Sequence, residues 1–304
     1  MDSISRLNLK TDTTISIINE ALFRGIDTWV SQPDKLIYRN GRVTSLCQKI
    51  TSNQTSAGEI KEIPLEKFNF FFIRQDPPFD MNYISNCYLL EVHKSKTNKP
   101  IFINDPSGIK NFTEKIFPLY FNKFMPHTIV TCRIDVFKEM LNRQKSVILK
   151  PLYNKGGEGI SKINLTDSNK EEIFRAIMKK YKSPVIVQEF LKNVKFGDKR
   201  VILIDGLPMG VLNRIPKKGD FKANLHLGGK AEKTQLTKKE RTICNSLKKA
   251  LIKNNLFLVG IDLISEKLTE INVTSPTGIT QINELYNENL ANKIWDKLFI
   301  KYSI

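Results

Sequence analysis

The stretch Ser146-Val147-Ile148-Leu149-Lys150-Pro151, followed by Tyr153-Asn154-Lys155-Gly156-Gly157-Glu158-Gly159, decides the fold of this chain. The apolar run 146–149 predicts a strand, which Lys150-Pro151 closes, and Ile160–Leu165 predicts a second strand beyond the glycines. The loop is not a P-loop, because no Gly-Lys-Ser/Thr follows. It is not a dinucleotide-binding turn, because a strand rather than a helix comes next. The pattern therefore indicates a glycine loop between two strands, either a flap that wraps phosphates or a simple hairpin loop.

A second group of polar residues lies in a predicted hairpin formed by Leu256–Ile264 and Leu268–Val273. Glu270 and Asn272 are two residues apart and therefore share one face of a strand. A turn centred on Glu266 would place Asp262 opposite Glu270. Three oxygen ligands without sulfur or imidazole suit magnesium that bridges phosphates. The alternative is a set of outward polar residues, but the apolar neighbours favour a buried hairpin, where carboxylates need a cation.

Four basic residues are spaced between the N-terminal part and this hairpin, namely Lys115, Lys150, Arg200 and Arg214. Lys150 ends an apolar strand, and Arg214 ends the second strand of a predicted hairpin, 200–204 with 209–215. Lys115 on its own is equally typical of a surface lysine. Fixed cations, a magnesium trio and a phosphate flap are together the components of phosphoryl transfer from ATP.

The N-terminal part alternates between helical and strand patterns. Phe68–Ile73 is a continuous apolar run that predicts a strand buried on both faces, and it ends at Arg74 and Asp76 before two prolines. In open α/β sheets ligands gather at the carboxyl ends of strands, which predicts an open α/β domain with Arg74 and Asp76 near its site. The further elements predicted from periodicity are helices over 13–24, 81–95, 107–112, 168–181, 237–254 and 284–300, and strands near 28–30, 36–44, 101–104 and 185–187.

Composition narrows the class of protein. The chain has 304 residues, 40% of them hydrophobic, with 48 Lys and Arg against 31 Asp and Glu, so its formal net charge is +17. These values predict two or three globular domains, and no apolar run reaches the ~20 residues of a membrane helix. Four scattered cysteines and three isolated histidines argue against a zinc site or a disulfide scaffold, and a reducing cytoplasm is the expected location. The excess charge fits either an anionic partner or a lysine-rich surface.

Taken in order, these motifs resemble an ATP-grasp ligase. Within that superfamily, four segments are similar to the bacterial glutathione synthetase family: Ile73-Arg74-Gln75-Asp76-Pro77-Pro78-Phe79-Asp80, Gly197-Asp198-Lys199-Arg200, Arg214-Ile215-Pro216 and Thr269-Glu270-Ile271-Asn272-Val273-Thr274-Ser275-Pro276-Thr277. The match is strong over about residues 70–280 and weak over the first 65. The family's first strand normally precedes the Met-Asp that opens this chain, so the resemblance implies either that the N-terminal sheet lacks an edge strand or that the start of the chain is assigned too late.

The resemblance implies that the chain joins glycine to γ-glutamylcysteine with ATP through an acyl phosphate. It implies an ATP site, a substrate site, a magnesium site (manganese being the other candidate ion) and two arginines that face the reacting phosphate. The ATP residues would be Lys115, Lys150, Gly156, Gly157, Gly159, Gln188, Glu189, Phe190, Leu191 and Asp198. The substrate residues would be Arg74, Asp76, Ser275, Pro276 and Thr277; the metal ligands Asp262, Glu270 and Asn272; and the arginines Arg200 and Arg214.

The expected architecture is an N-terminal α/β substrate-binding domain over 1–112, a small lid subdomain with the glycine flap over 113–187, and a catalytic ATP-grasp subdomain over 188–304. The expected partners are small molecules rather than nucleic acid or membrane, and the resemblance implies a homotetramer. One alternative is another ATP-grasp ligase, such as the type that adds glutamate to a ribosomal protein. A nucleic-acid-binding protein would also explain the charge, but it would leave Asp262, Glu270 and Asn272 without a role.

Overall fold

The computed structural model describes residues 1–51 and 58–303. The glycine loop lies in a four-stranded antiparallel sheet with the strand order β7-β10-β8-β9 and its own core. Phe137 and Phe174 stack in that core with ring centroids 4.7 Å apart, which holds two helices on one face of the sheet. The elements are β7 (Thr128–Thr131), α4 (Ile134–Gln144), β8 (Ser146–Pro151), β9 (Ser161–Asn164), α5 (Lys170–Tyr181) and β10 (Val185–Glu189).

The largest sheet is antiparallel, with the order β13-β12-β11-β14-β15. Its central strands are almost entirely buried because helices pack against both faces of the sheet, and the N-terminal elements join the core on one of them. The longest helix begins at a capping box, in which Thr237 and Glu240 satisfy each other's backbone N–H groups. The elements are β11 (Asp198–Ile204), β12 (Leu207–Ile215), β13 (Lys230–Glu232), α6 (Lys238–Lys253), β14 (Leu258–Ile264) and β15 (Lys267–Asn272).

The turn between β14 and β15 is shorter than the sequence suggested. Ser265 and Glu266 both have positive φ, so a two-residue turn joins Ile264 to Lys267 rather than a turn centred on Glu266. A β-bulge beyond Leu263 then shifts the register by one residue and places Asp262 opposite Glu270. The predicted pairing is therefore correct, and the bulge rather than the turn produces it.

The N-terminal third holds two small sheets instead of one open sheet. β5 (Phe70–Phe72) and β6 (Ile101–Ile103) are parallel and are joined by α2 (Met81–Lys94), as the alternation predicted. The side chains of β5 are only half-buried, so the prediction of burial on both faces is wrong. Among the described residues β5 pairs with β6 alone. The preceding polar stretch forms a four-stranded antiparallel sheet from β1 (Thr28–Val30), β2 (Leu36–Arg39), β3 (Arg42–Ile50) and β4 (Ile60–Pro64).

The remaining helices bring the two chain ends together. α1 (Thr13–Phe23) is capped by Asp12 and packs against α8 (Leu290–Tyr302), while α3 (Pro106–Asn111) follows β6. The prediction of a single helix over 284–300 is wrong. One helix, α7 (Ile279–Tyr286), ends because the next residue, Asn287, has a positive φ, and a second helix, α8, begins after its N-cap Asn289. Across the described ranges, no helix combines the length and the hydrophobicity that a membrane crossing requires.

Candidate active site

Two cavities meet beneath the glycine flap. The narrow one lies between β8, β10 and the hairpin β14–β15, and the wide one, of about 910 Å³, extends toward the N-terminal part. Both are lined by Gly156, Gly157 and Glu270, so the two spaces are continuous. A nucleotide with its phosphates beneath the glycines would therefore point its reactive end into the wide cavity.

The flap has the backbone that its sequence requires. Gly157 has a φ of +80°, and a Cβ atom at this position would lie 3.0 Å from Oδ1 of Asn224. Two contacts hold the flap against the N-terminal part: an ion pair between Lys155 and Asp76, and a hydrogen bond of 3.0 Å from the Phe79 backbone N–H to the Tyr153 carbonyl. The flap is therefore closed over the cavities.

The predicted arginines form two cross-strand ion pairs in the large sheet. Arg200 lies opposite Asp262 in the β11–β14 register and binds both of its oxygens, at 2.5 and 2.9 Å. Arg214 lies opposite Asp198 in the β11–β12 register, donates to it at 2.6 Å and also reaches Asp262 at 3.0 Å. Strand register alone thus brings four charged groups to the floor of the cavities.

The two carboxylates of this cluster have opposite acidities. Burial raises the pKa of Asp198 to about 6, against the opposing effect of Arg214. Burial acts in the same direction on Asp262, but the positive charges of Arg200 and Arg214 outweigh it and hold the pKa of that carboxyl well below its usual range. Asp262 therefore stays ionised, while Asp198 gains and loses its proton near neutrality.

The oxygen donors suit a hard divalent cation. Glu270 and Asn272 project from the same face of β15, and Glu270 lies beside Asp262 across the register. Oδ1 of Asp198 is buried without a hydrogen-bond partner in the described part of the chain, as expected of an oxygen that awaits a cation or a phosphate-bound ion. Among the described residues, no group of three His, Cys, Asp or Glu side chains is placed to hold a metal ion by itself, so any metal would also need amide or phosphate oxygens.

Two buried lysines face the same space. Lys150 is 8% exposed, and its Nζ lies 3.9 Å from Oε1 of Glu270. Burial lowers the pKa of Lys150, and Glu270 partly offsets this effect. Lys115 is 5% exposed, and its Nζ donates to the carbonyl of Asn154 in the flap. Both ammonium groups are thus desolvated and positioned to bind an anion in the narrow cavity.

The end of β10 forms the far wall of the narrow cavity. Gln188, Glu189, Phe190 and Leu191 all line it, facing Phe221. The Gln188 amide donates to the Thr128 hydroxyl at 2.8 Å, and Glu189 pairs with Lys267 at 3.3 Å, so their side chains are already engaged. The backbone of this segment and the two aromatic rings are therefore the groups that can contact a flat ring such as adenine.

The structure brings most of the predicted site residues to these two cavities and leaves out two. Gly159 packs against Tyr181 and Pro151 instead of lining either space. Arg74 is 4% exposed and borders a different groove; it donates to the Thr14 hydroxyl and to the Pro276 carbonyl, each at 3.1 Å. Asp76 and the Ser275–Thr277 loop line the wide cavity, and the Thr277 carbonyl accepts from Arg200 at 3.1 Å.

The sequence did not reveal two parts of the site: the segment 221–227, which forms a further wall of the cavities, and the acid Glu114. The segment 221–227 lies against the flap, where Asn224 and His226 contact Gly157 and Gly156, but neither residue stands in a motif that marks it. Glu114 borders the wide cavity and accepts a hydrogen bond from the Thr274 hydroxyl at 2.6 Å. Burial raises its pKa, which Lys115 opposes. Its position directly before Lys115 was the only available signal.

Comparisons with known proteins agree with this geometry. Residues 1–110 match the family model "Prokaryotic glutathione synthetase, N-terminal domain", and residues 114–287 match "Prokaryotic glutathione synthetase, ATP-grasp domain". The chain is 38% identical to the glutathione synthetase of Mesorhizobium japonicum, covering 97% of this chain and 95% of that one. It is 39% identical to that of Brucella melitensis, with 97% and 96% covered.

Solved structures share the fold at low sequence identity. The ATP-grasp ligase PsnB, complexed with its minimal precursor, aligns with a TM-score of 0.66 at 16% identity over 96% of both chains. D-alanyl-alanine synthetase A from Vibrio cholerae aligns with a TM-score of 0.58 at 15% identity over 91% of this chain and 88% of that one. These likenesses show the ATP-grasp fold.

Proposed function

The chain belongs to the prokaryotic glutathione synthetase family, and we propose which of its residues carry out each part of the family's reaction. The chain is an ATP-dependent ligase that joins glycine to γ-glutamylcysteine and uses a divalent metal. The observation that carries the residue assignment is the paired cluster Arg200–Asp262–Arg214–Asp198 directly beneath the glycine flap.

ATP lies in the narrow cavity in this assignment. Phe190 and Phe221 border the adenine, and the backbone of 188–191 provides its hydrogen bonds. Lys115, Lys150 and the N–H groups of Gly156 and Gly157 bind the phosphates, because these groups are the cations and free donors around that end of the cavity. Gly159 supports the flap by packing on Tyr181 and does not touch the nucleotide.

The metal fits the carboxyl side of this cavity, with Asp262, Glu270 and Asn272 as the protein ligands and Asp198 nearby. Mg²⁺, with Mn²⁺ as the other candidate, would neutralise the phosphate oxygens and polarise the γ-phosphate when bound there. Asp262 accepts hydrogen bonds from both Arg200 and Arg214. Its negative charge would therefore act both on the two arginines and on the bound metal.

The first chemical step is the activation of a carboxylate. An oxygen of the dipeptide's terminal carboxylate attacks the γ-phosphorus, the bond from phosphorus to the β-bridging oxygen breaks, and ADP leaves with the electron pair. Arg200 and Arg214 stabilise the negative charge that spreads over the phosphoryl oxygens, since both are buried and fixed by ion pairs before the substrate binds.

The second step forms the amide bond. The neutral amine of glycine attacks the acyl carbon, and the carbon–oxygen bond to phosphate then breaks, so phosphate leaves with the electron pair. Of the two protons that the glycine nitrogen loses overall, one goes to the phosphate and one to solvent. The closed flap excludes water that would otherwise hydrolyse the acyl phosphate.

The dipeptide lies in the wide cavity, between Asp76 and the loop Ser275-Pro276-Thr277. Two arginines fix this loop through its carbonyls, Arg74 at Pro276 and Arg200 at Thr277. Arg74 thus contributes to the substrate site by positioning this loop. A homotetramer remains an expectation from the resemblance, and a cytoplasmic location remains one from the cysteine usage; size measurement and cell fractionation would test them.

The test is a coupled assay of ADP release in which γ-glutamylcysteine and glycine are omitted in turn. We expect release at a full rate only when ATP, metal, dipeptide and glycine are all present. Equal ADP release when a protein tail replaces the dipeptide and free glutamate replaces glycine would favour the glutamate-adding type of ligase. DNA affinity with a steep salt dependence and without ATP turnover would favour a nucleic-acid-binding protein.

A further inference from the structure

Glu114 is an acid of the wide cavity for which the assignment above has no role. Its backbone carbonyl accepts from Ile271 N–H on β15 at 3.0 Å, so the residue is anchored beside the metal-binding strand. The Thr274 hydroxyl donates to Oε1 at 2.6 Å and fixes the side chain. The carboxylate is therefore held in place at the wall of the cavity where the acyl phosphate would form.

The other carboxylates that border this cavity already have partners. Asp76 pairs with Lys155, Glu158 with Lys180 at 3.7 Å, and Glu270 with Lys150 at 3.9 Å. Asp12 accepts from two N–H groups at the start of α1. Of the cavity acids in the described ranges, Glu114 alone has neither an ion pair within 4.0 Å nor a helix start to cap.

A carboxylate withdrawn from bulk water is costly unless a cation compensates it. Lys115 is the neighbouring cation, but its Nζ is turned to the Asn154 carbonyl on the side of the narrow cavity. Besides Lys115 and the Thr274 hydroxyl, the groups that act on Glu114 are Glu270 and Arg200, both at the reacting end of the site. The missing cation should therefore come from a ligand that binds at this end.

Glycine is such a ligand. ATP and the activated dipeptide present negative oxygens here, which suit the arginines and lysines, whereas glycine arrives with a positive ammonium group. We propose that the carboxylate of Glu114 binds the ammonium group of incoming glycine and sets its position beside the acyl carbon. This inference rests on the proposed function and adds a residue for recognition of the third substrate.

The dipeptide also carries an ammonium group, at its γ-glutamyl end. That group is several bonds removed from the carboxylate that is activated next to Arg200, whereas the glycine nitrogen must approach the same carbon. Proximity of Glu114 to the reacting end therefore favours glycine, and separate kinetic constants for each substrate distinguish the two.

The experiment is steady-state kinetics of Glu114→Gln with each substrate varied in turn. The glutamine keeps the shape and an oxygen for the Thr274 hydroxyl but removes the charge. We expect the KM for glycine to rise about 10–100-fold, the loss typical of a charged hydrogen bond, with the KM values for ATP and dipeptide changed less than about twofold. Glu114→Asp, which keeps the charge, should recover most of the glycine affinity.

Two further measurements separate ammonium binding from a structural role. Hydroxylamine, which is uncharged in mildly alkaline buffer, can replace glycine and trap the acyl phosphate as a hydroxamate, and Glu114→Gln should form it at a wild-type rate. Thr274→Val, which frees the Glu114 side chain, should raise the glycine KM less than Glu114→Gln does. Equal melting temperatures of the variants confirm that the fold is intact.

Three results would overturn the proposal: a rise in KM for ATP or dipeptide instead of glycine, a shift in the metal concentration required, or an equal loss of hydroxamate formation. If Glu114→Gln does not fold, an unchanged glycine KM in Thr274→Val overturns it. Failure of the proposed function itself is distinct, because the wild-type protein would then release ADP without any need for glycine.

Discussion

Two walls around the joined cavities are built in opposite ways. On the sheet wall, Arg200, Arg214 and Asp262 are buried and Asp198 is half-buried, and the four side chains are bound to one another before any substrate arrives. On the flap wall, residues 153–160 carry no regular strand, and the loop is held by the Lys155–Asp76 ion pair and a few backbone hydrogen bonds.

The difference shows that the sheet wall is fixed during folding, whereas the flap wall can open and close. Charges fixed during folding need no reorganisation when the phosphoryl group develops negative charge, so the sheet wall serves catalysis. A glycine loop with few buried contacts can open at low cost, so the flap wall serves entry, closure and release. Changes in the sheet wall should mainly alter kcat, and changes in the flap wall should mainly alter KM.

The largest expected effect is on the sheet wall. Glu270→Gln keeps volume but removes one charge from the metal-binding face, so we expect kcat to fall by roughly two to four orders of magnitude. The free energy of unfolding should change little, since Oε1 of Glu270 lies 3.9 Å from Nζ of Lys150, beyond hydrogen-bond distance. The measurements are turnover and thermal melting.

The control for this prediction is Glu266→Gln at the tip of the same hairpin, where the side chain bonds only Thr237 and Lys239 among the described residues. It should turn over like the wild type. If Glu270→Gln also retains the wild-type rate and metal requirement, the hairpin is structural only and the contrast between the walls is lost.

A smaller effect is expected on the flap wall. Gly157→Ala adds a Cβ at a φ of +80° and at 3.0 Å from Asn224, which strains the closed loop by about 1–2 kcal/mol. The KM for ATP should rise about tenfold while kcat changes little, as binding kinetics would show. Gly219→Ala is the matched control, because its φ is +87° but nothing lies within 4 Å. A drop in kcat without a change in KM would contradict the division of roles.

The smallest effect is a pH dependence of stability on the sheet wall. Folding raises the pKa of Asp198 to about 6, so between about pH 4 and 6 the folded chain keeps a proton that the unfolded chain has released. The free energy of unfolding contributed by this group is therefore full below about pH 4 and is lost as the pH rises through 6.

Asp198→Asn cannot ionise and escapes this loss. Its melting temperature relative to the wild type should rise by about 2–3 °C between pH 5 and pH 8, measured without ATP. Asp34→Asn is the control, since the pKa of the exposed Asp34 carboxyl is lowered by Lys35 and gives no such rise. If the melting temperature of Asp198→Asn relative to the wild type falls as the pH rises, folding stabilises the ionised form of Asp198 instead.

Local sequence predicted strands and helices best where periodicity and turn chemistry coincide. The strand that carries Lys150 and the glycine loop follow from apolar spacing and glycine, and the helix after Thr237 follows from periodicity, with a capping box at its start in the structure. The polar stretch 28–64 did not reveal its four-stranded sheet, because its strands alternate weakly and part of the sheet's burial comes from packing against α2, a later segment of the chain.

The sequence by itself therefore determined the chemical inventory: lysines and arginines at strand ends, a flap of three glycines and the trio Asp262, Glu270 and Asn272. Only the tertiary structure decided how these groups pair. Strand order placed Asp198 opposite Arg214 and Asp262 opposite Arg200. The same packing turned Arg74 toward the Pro276 loop and Glu114 toward the cavity. The reason is physical: residue type and spacing fix what a strand can present, whereas register and burial depend on contacts between segments far apart in the chain.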